Sequence, residues 1–556
     1  MKRWLKRVFS RMFITVILIM IIFYFNLNAQ SNLQLEVHAC LKNIPFKMSE
    51  IQLPEFPERS FNIVDYGAVG DGHTLNTDAI HKAVEICAQS GGGKVIVPSG
   101  MWLTGPIRLE SNINLHLKPG ALILFTPDHT QYPIIKAPER GFNVASPVYG
   151  FNLENIAITG DGILDGSGES WRPVKKFKTT ESQWKALVNS GGVVEKEGKI
   201  WWHSQEAMDG AQYLKRLKAS KRKKELTAED YLPAREYLRP YMVLLINCKK
   251  VLLDGVTVKN SPKFALVPNW CEDVVIRDVK VNNEWWAQNG DGIDINCGKN
   301  VLIYKCKVTA GDDGICMKSG MKKNSNEPAL SNIVISDCIV YHGHGGFVIG
   351  SNTDAGMKNI YIKNCNFIGT DVGLRFKSGR DRGGLVESIH IKNIYMKDIV
   401  NEAILFDTHY ENTGAFNQVV PVTETTPRFE KFYMDSVYCV GAKQAVLVAG
   451  LPEMPIQDIT MTNMAISSEK GFESLYAANF VLKNVKIKPK QGEVYSLNQS
   501  KKFLIENGFC PKNTNVFMKV KGKDTKSIRV MKTDLSSAKI AVEYGDNSNK
   551  DAVFLE

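Results

Sequence analysis

Residues 300–308 read NVLIYKCKV and residues 332–340 read NIVISDCIV. In each, an asparagine opens a short run in which apolar side chains alternate or nearly alternate. That is the period of a strand with one buried face. A polar two-residue step follows, then a second short strand. Outward in both directions the pattern recurs as KVLLDGVTV (250–258), DVVIRDVKV (273–281), NIYIKNCNF (359–367) and SIHIKNIYM (388–396). An earlier copy is NIAITGDGIL, and later ones are DITMTNMAI and NFVLKNVKI. The six central starts differ by 23, 27, 32, 27 and 29 residues. One motif returning at this interval, with β-branched strands and Asn/Asp/Gly turns, marks a solenoid with one coil per repeat. A two-layer sandwich has short strands too, but no such recurrence.

The fold class this predicts is all-β: a single-stranded right-handed parallel β-helix with an N-terminal helical cap and a long, partly helical insertion. Cys306, Cys338 and Cys365 share a repeat position and are expected to stack as small buried fillers. Asn300, Asn332 and Asn359 are expected to form a turn ladder. The eleven cysteines are an odd number and include no CxxC pair or Cys/His cluster with zinc spacing, which argues against both a complete disulfide framework and a zinc site. Near the start, Ala79, Ile80, Ala83, Val84 and Cys87 recur at helical spacing, and Thr77 or Asp78 is expected to cap that helix.

Residues 1–29 read as a signal peptide: Lys2, Arg3, Lys6, Arg7 and Arg11, an apolar run from Met12 to Phe25, then the small Ala29. The organisation expected is 30–58 as an N-terminal linker, 59–500 as the β-helix catalytic domain, 166–240 as an insertion, and 501–556 as a C-terminal extension that adds a final strand or two. The protein is expected to be exported to the periplasm or beyond, without a stable membrane span in the mature chain, and to be a monomer.

Removal of the five N-terminal cations lowers the formal charge from +11 to +6. Residues 166–240 hold 16 Lys/Arg against 10 Asp/Glu, again +6, so the rest is close to neutral. The basic excess belongs to one segment, chiefly YLKRLKASKRKKEL, which reads as readily as a solvated helix face. No nucleic-acid partner is expected.

The chemistry lies in phase with the repeat. GDDGICMKSG (311–320) pairs Asp312 with Asp313 between glycines. Neighbouring strand residues face opposite sides, so these two converge only at a bend. One coil earlier stands Asp291 in NGDGIDI, and later coils carry His344 in GHGG and Arg375 and Lys377 in RFKSG. The steps 291 to 312, 312 to 344 and 344 to 375 are 21, 32 and 31 residues. Consecutive coils therefore stack these side chains in one stripe. Clustered carboxylates push one another's pKa values apart, so such a site holds a proton donor beside an ionised carboxylate, as glycosidic hydrolysis requires. Arg375 and Lys377 share a strand face and suit a sugar carboxylate. Asp294, turned away from Ile293 and Ile295, reads mainly as a hydrogen-bonding turn residue. Trp285 and Trp286 suit stacking on a sugar ring, or packing.

From FNIVDYGAVGDG to about residue 500 the chain resembles the polygalacturonases, glycoside hydrolase family 28. Their four ordered marks are Asn-Thr-Asp, Gly-Asp-Asp, Gly-His-Gly and Arg-Ile-Lys. Here they stand as NGD (289–291), GDD (311–313), GHG (343–345) and RFK (375–377), two of them varied at the middle residue. The resemblance implies metal-independent, cofactor-free hydrolysis of α-1,4-galacturonosidic bonds of pectin with inversion. It implies Asp312 as general acid, Asp291 and Asp313 as the carboxylates that activate water, and His344 in support. Asn289, Arg375, Lys377 and Tyr410 would contact a pectic polysaccharide or oligogalacturonide. The long insertion suggests exo action. Rhamnogalacturonan and xylogalacturonan hydrolysis remain open, as do a calcium-dependent pectate lyase and a non-catalytic carbohydrate-binding β-helix.

Overall fold

The computed structural model describes residues 32–138, 140–220, 226–320, 327–411 and 417–556. The predicted export signal lies outside them, as does the KRKKE part of the basic run. Among the described residues no helix is long and apolar enough to cross a membrane.

One ladder of 35 strands, parallel throughout, carries the fold, so the chain has one continuous core. It is a right-handed parallel β-helix. The repeat is found in register: Val251 pairs with Val274, then Val301, Ile333, Ile360 and Ile389, which sets the six motif starts one above another. These aliphatic side chains are at most 1% exposed. Each contributes roughly 1.5–3 kcal/mol on burial, repeated coil after coil.

The first residue of each motif explains why Asn, Asp, Ser and Lys recur there. Lys250, Asp273, Asn300, Asn332, Asn359 and Ser388 all have φ between 53° and 60°. Short polar side chains tolerate this left-handed region best. The amide ladder adds to it: Asn300 donates to Asp273 at 3.2 Å, Asn332 to Asn300 at 3.1 Å and Asn359 to Asn332 at 3.1 Å. The Cys338 thiol lies between those of Cys306 and Cys365, and none of the eleven cysteines is in a disulfide.

The helix Thr77–Gln89 closes the first coils with Ile80, Ala83, Val84 and Cys87 buried. Its cap differs from expectation. The N-cap is Asn76, and neither Thr77 nor Asp78 serves. The Asn76 amide instead ties down the preceding loop through Val69, Thr74 and Leu103, while Thr77 Oγ1 accepts from Gly105 N at 2.7 Å. Residues 32–58 are no free linker either. A helix at 32–41 and the irregular run after it pack Val37 and Ile51 onto Ala157, Leu252, Val275, Leu302 and Val334 of successive coils. Glu36 pairs with Arg277 and Lys305 at 3.2 and 3.1 Å. At the other end the ladder runs on through Lys501–Glu506, Thr514–Lys521, Lys526–Met531, Ala538–Tyr544 and Val553–Leu555. The tail is thus more coil, not a separate extension.

Within 166–240 the helices Glu181–Asn189 and Gln205–Ala219 flank a small antiparallel sheet of Val174–Lys175, Ile200–Trp202 and Val193–Val194. Its lysines and arginines reach the coils below, as follows.

Candidate active site

Four strands stack to carry the predicted stripe: Ile293–Tyr304, Asp313–Lys318, Gly345–Ile349 and Leu374–Lys377. Ile293, Ile315, Phe347 and Leu374 are in register and point to the core. The alternate positions Asp294, Cys316, Val348 and Arg375 are also in register and point outward. The chain bends at 311–312, immediately before the strand that Asp313 opens, which brings the two neighbouring carboxyls to one place. Gly311 is required there, because a Cβ would stand 2.4 Å from the carbonyl oxygen of Ala287 and 2.7 Å from that of Glu284. The same turn accounts for Gly290, where the family pattern has Thr. A Cβ at 290 would meet the Ala287 methyl at 2.7 Å.

Carboxylate oxygens of Asp291, Asp312 and Asp313 lie within 4.8 Å of one another. Each is held by a cation or an imidazole. Lys377 Nζ is 2.9 Å from Asp313 Oδ2, and Arg375 Nη1 is 3.4 Å from Asp313 Oδ1. His344 Nδ1 is 3.1 Å from Asp312 Oδ1. Lys318 Nζ is 3.0 Å from Asp291 Oδ2 and also bonds Asp294 Oδ1. The Tyr410 ring centroid lies 5.7 Å from the Arg375 guanidinium carbon and 5.0 Å from Lys377 Nζ. Asn289 joins the group indirectly: its Oδ1 accepts from Arg239 Nη2 at 2.8 Å. The structure therefore brings together Asp291, Asp312, Asp313, His344, Arg375, Lys377 and Tyr410, with Asn289 turned to the insertion. Trp285 and Trp286, 51% and 39% exposed, stand edge to face beside them.

The electrostatics separate the carboxyls. Burial drives Asp291 well above the usual carboxylate range; Lys318 opposes this, and the neighbouring aspartates add to it. Burial likewise takes Asp294 to about 6 against the pull of Lys318. Asp313 is as buried, but Lys377 and Arg375 more than reverse the effect and hold it ionised. Burial also raises Asp312, and the His344 hydrogen bond brings it back below its ordinary value. In the free protein the cluster's proton thus resides on Asp291, and on Asp294 only below about pH 6, with Asp312 and Asp313 ionised. If a proton in this cluster is needed for turnover, kcat/KM falls about tenfold per pH unit above about pH 6. Asp294→Asn removes the group that titrates there, so the falling limb near pH 6 disappears. A pH profile of the two proteins checks both statements.

Sequence reasoning missed three members. Asp294 does face away from Ile293 and Ile295, but that outward face is the site itself, and Asp294 is fully buried in it. Lys318 was overlooked although MKSG (317–320) repeats the FKSG of 376–379, a signal available in the sequence. Lys178 had no signal, because it comes from the insertion. Its Nζ donates to Gly311 O at 3.1 Å and Trp285 O at 3.2 Å, and burial lowers its pKa while Asp312 opposes the shift. Beyond Lys318 a cavity of about 420 Å³ is lined by Arg140, Asn143, Tyr241, Phe264, Asn296 and Asn352 among others.

Comparison with known proteins gives the class first. The family model "Glycosyl hydrolases family 28" matches residues 232–488, just under half of the chain, a span that contains all four aspartates of the cluster, and the protein is a glycoside hydrolase. The chain is similar to a hyperthermoactive exopolygalacturonase from Thermotoga maritima, with a TM-score of 0.65 and 29% identity over 79% of this chain and 94% of that one. It is 27% identical over 439 residues to an exo-poly-alpha-D-galacturonosidase of Dickeya chrysanthemi, covering 77% of this chain and 67% of the relative. A probable polygalacturonase of Vitis vinifera is 26% identical over 429 residues, 73% of this chain and 74% of the relative. Residues 232–488 thus carry the match to glycoside hydrolase family 28, and the proteins the chain is similar to are polygalacturonases.

Proposed function

We propose that the protein is an exo-acting polygalacturonase that releases galacturonate from the ends of pectic chains by acid/base hydrolysis. The observation that carries this reading is the bonding of the insertion across the turn 284–290. Lys178 holds Trp285 O and Gly311 O, Arg239 holds Gln288 O and Asn289, and Arg172 pairs with Glu284 at 3.0 Å. A groove crossed in this way ends beside the aspartates, which suits a chain end better than a chain middle. Arg375 and Lys377 supply the charge for one uronate carboxylate. Arg140 and Lys318, with Tyr241 and the amides of Asn143, Asn296 and Asn352, line a second anionic sugar pocket on the other side of the cluster.

Asp312 is the proposed acid, on the resemblance and on its place at the lip, where its side chain is 19% exposed against 4% for Asp291. It is ionised in the free protein, so substrate has to change that. A bound uronate brings a negative charge and expels water, and both raise the proton affinity of Asp312. Asp291 and Asp313 then hold the attacking water. Calcium-dependent elimination is a weaker reading: Lys318, Lys377 and Arg375 already offset the cluster's charge and would repel a divalent cation.

The carboxyl spacing favours a second reading of the stereochemistry. Oxygens within 4.8 Å are closer than the roughly 6.5–9.5 Å common in inverting pairs and nearer the roughly 5–5.5 Å of retaining ones. Proton NMR of the new anomeric centre during cleavage of trigalacturonate separates the two. β-Galacturonate is expected, and an α product would assign Asp291 or Asp313 as nucleophile. With long-chain polygalacturonate, monomer alone should accumulate at first. A ladder of mixed oligomers would refute exo action, and an unsaturated, ultraviolet-absorbing product would refute hydrolysis.

A further inference from the structure

A second cluster of ligating side chains stands apart from the aspartates, where the insertion meets the first coils. His129 follows the early strand Ala121–Phe125, His203 follows Ile200–Trp202 of the insertion, and Glu236 lies near the insertion's end. His129 Nδ1 is 2.5 Å and His203 Nε2 is 3.0 Å from the same oxygen, Glu236 Oε2. All three ligating atoms fall within 4.8 Å of one another.

The outer hydrogen bonds fix the tautomer of His129. Ser170 Oγ donates its proton to Ser167 O at 2.8 Å, so it can only accept from His129 Nε2, 3.1 Å away. Nε2 is then the donor of that bond, and Nδ1 is the ring atom turned to the Glu236 oxygen. A ring nitrogen and a carboxylate oxygen at that distance require a positive centre between them, a metal ion or a proton. The ring is locked by stacking on the buried Trp171, centroids 3.5 Å apart and planes at 18°. His203 meets His129 edge to face at 5.6 Å, and its Nδ1 is buried without a partner.

We propose that His129, His203 and Glu236 form a site for a zinc-class divalent ion that clamps the insertion to the body of the β-helix. Two imidazole nitrogens and one carboxylate are a common donor set for zinc, with a fourth position left to water. Ligand atoms around a tetrahedral zinc stand about 3.3 Å apart, so each histidine–glutamate pair opens by less than 1 Å to admit the ion. Ser170 holds the far nitrogen of one ligand, as outer-shell partners of metal-bound histidine do. A cavity of about 510 Å³ lined by Ser204, Glu206, Pro233, Arg235 and Glu236 gives the ion and its water a way in. The ion would be structural, since it is built into the insertion and not into the aspartate stripe. The rival occupant is a proton, which would make His129 an imidazolium paired with Glu236.

Cobalt(II) is the probe, added to the full chain after exhaustive dialysis against chelator. One equivalent is expected to bind at micromolar or lower concentration and give the intense visible bands of a four-coordinate N/O site, displaced by one equivalent of zinc. His203→Gln and Glu236→Gln are expected to weaken binding at least tenfold while leaving the far-ultraviolet circular dichroism unchanged. Only the weak bands of hexa-aqua cobalt with the unaltered protein would overturn the proposal, whatever the variants do. Unchanged binding in both variants would overturn it equally.

Discussion

Asp312→Asn is expected to lower kcat on oligogalacturonate by about 10²–10⁴-fold, the range for loss of a general acid, while the fold is kept. The side chain lies at the lip of the cluster and its one recorded partner is His344 at 3.1 Å, which an amide oxygen can still satisfy. Little else depends on it. Steady-state assay with denaturation of the same preparation checks this, and activity within threefold of the parent would move the acid role to Asp291 or Asp294. Those are the two carboxyls whose proton affinity burial raises in the free protein.

The second large effect is on stability. Lys377→Met is expected to destabilise the protein by about 3–5 kcal/mol at pH 7, because it leaves a buried carboxylate under-compensated. Asp313 has a side chain only 3% exposed, and after the change it keeps Arg375 at the longer 3.4 Å and the field of Lys318. The sign with pH follows. The folded-state pKa of Asp313 is depressed, so its stabilisation is fully present above the unfolded value of about 3.8 and is lost as pH falls through the folded value. In the variant the same carboxyl is raised instead, and the penalty fades as pH drops towards 4 and below. Denaturant titrations at pH 7 and pH 4 should therefore show a large gap that narrows. Lys377→Met combined with Asp313→Leu should regain most of the stability and none of the activity, since a neutral apolar pair removes the unpaired charge but also the chemistry.

The parts of this molecule that were legible in the sequence share a physical origin. Strand starts, the Asn300–Asn332–Asn359 ladder, the cysteine stack and the stripe from Asp291 to Lys377 are all relations between neighbouring coils, and stacking converts them into a spacing that can be counted. Asp294 shows how a correct period can be misjudged: the parity was right, but in a β-helix whose outer face is roofed by loops, outward does not mean solvated. Lys178, Arg239 and the His129–His203–Glu236 cluster were illegible for a plain reason. They bring together residues 133, 50 and 107 positions apart across the insertion, and no repeat relates them. The N-cap went astray because Asn76, Thr77 and Asp78 are all good caps, and only the loop packed beneath them selects which.

The site's position along the rod has a consequence for how the enzyme fails. In a stack of coils each layer feels its immediate neighbours and little beyond. The aspartates occupy the middle, with the helix Thr77–Gln89 sealing one end and the strands from Lys501 to Leu555 continuing at the other. Partial melting that begins at the C-terminal layers must consume several turns of the spiral before it reaches Lys377. The terminal layers thus act as a sacrificial buffer: wear at the tip shortens the rod without dulling its working edge.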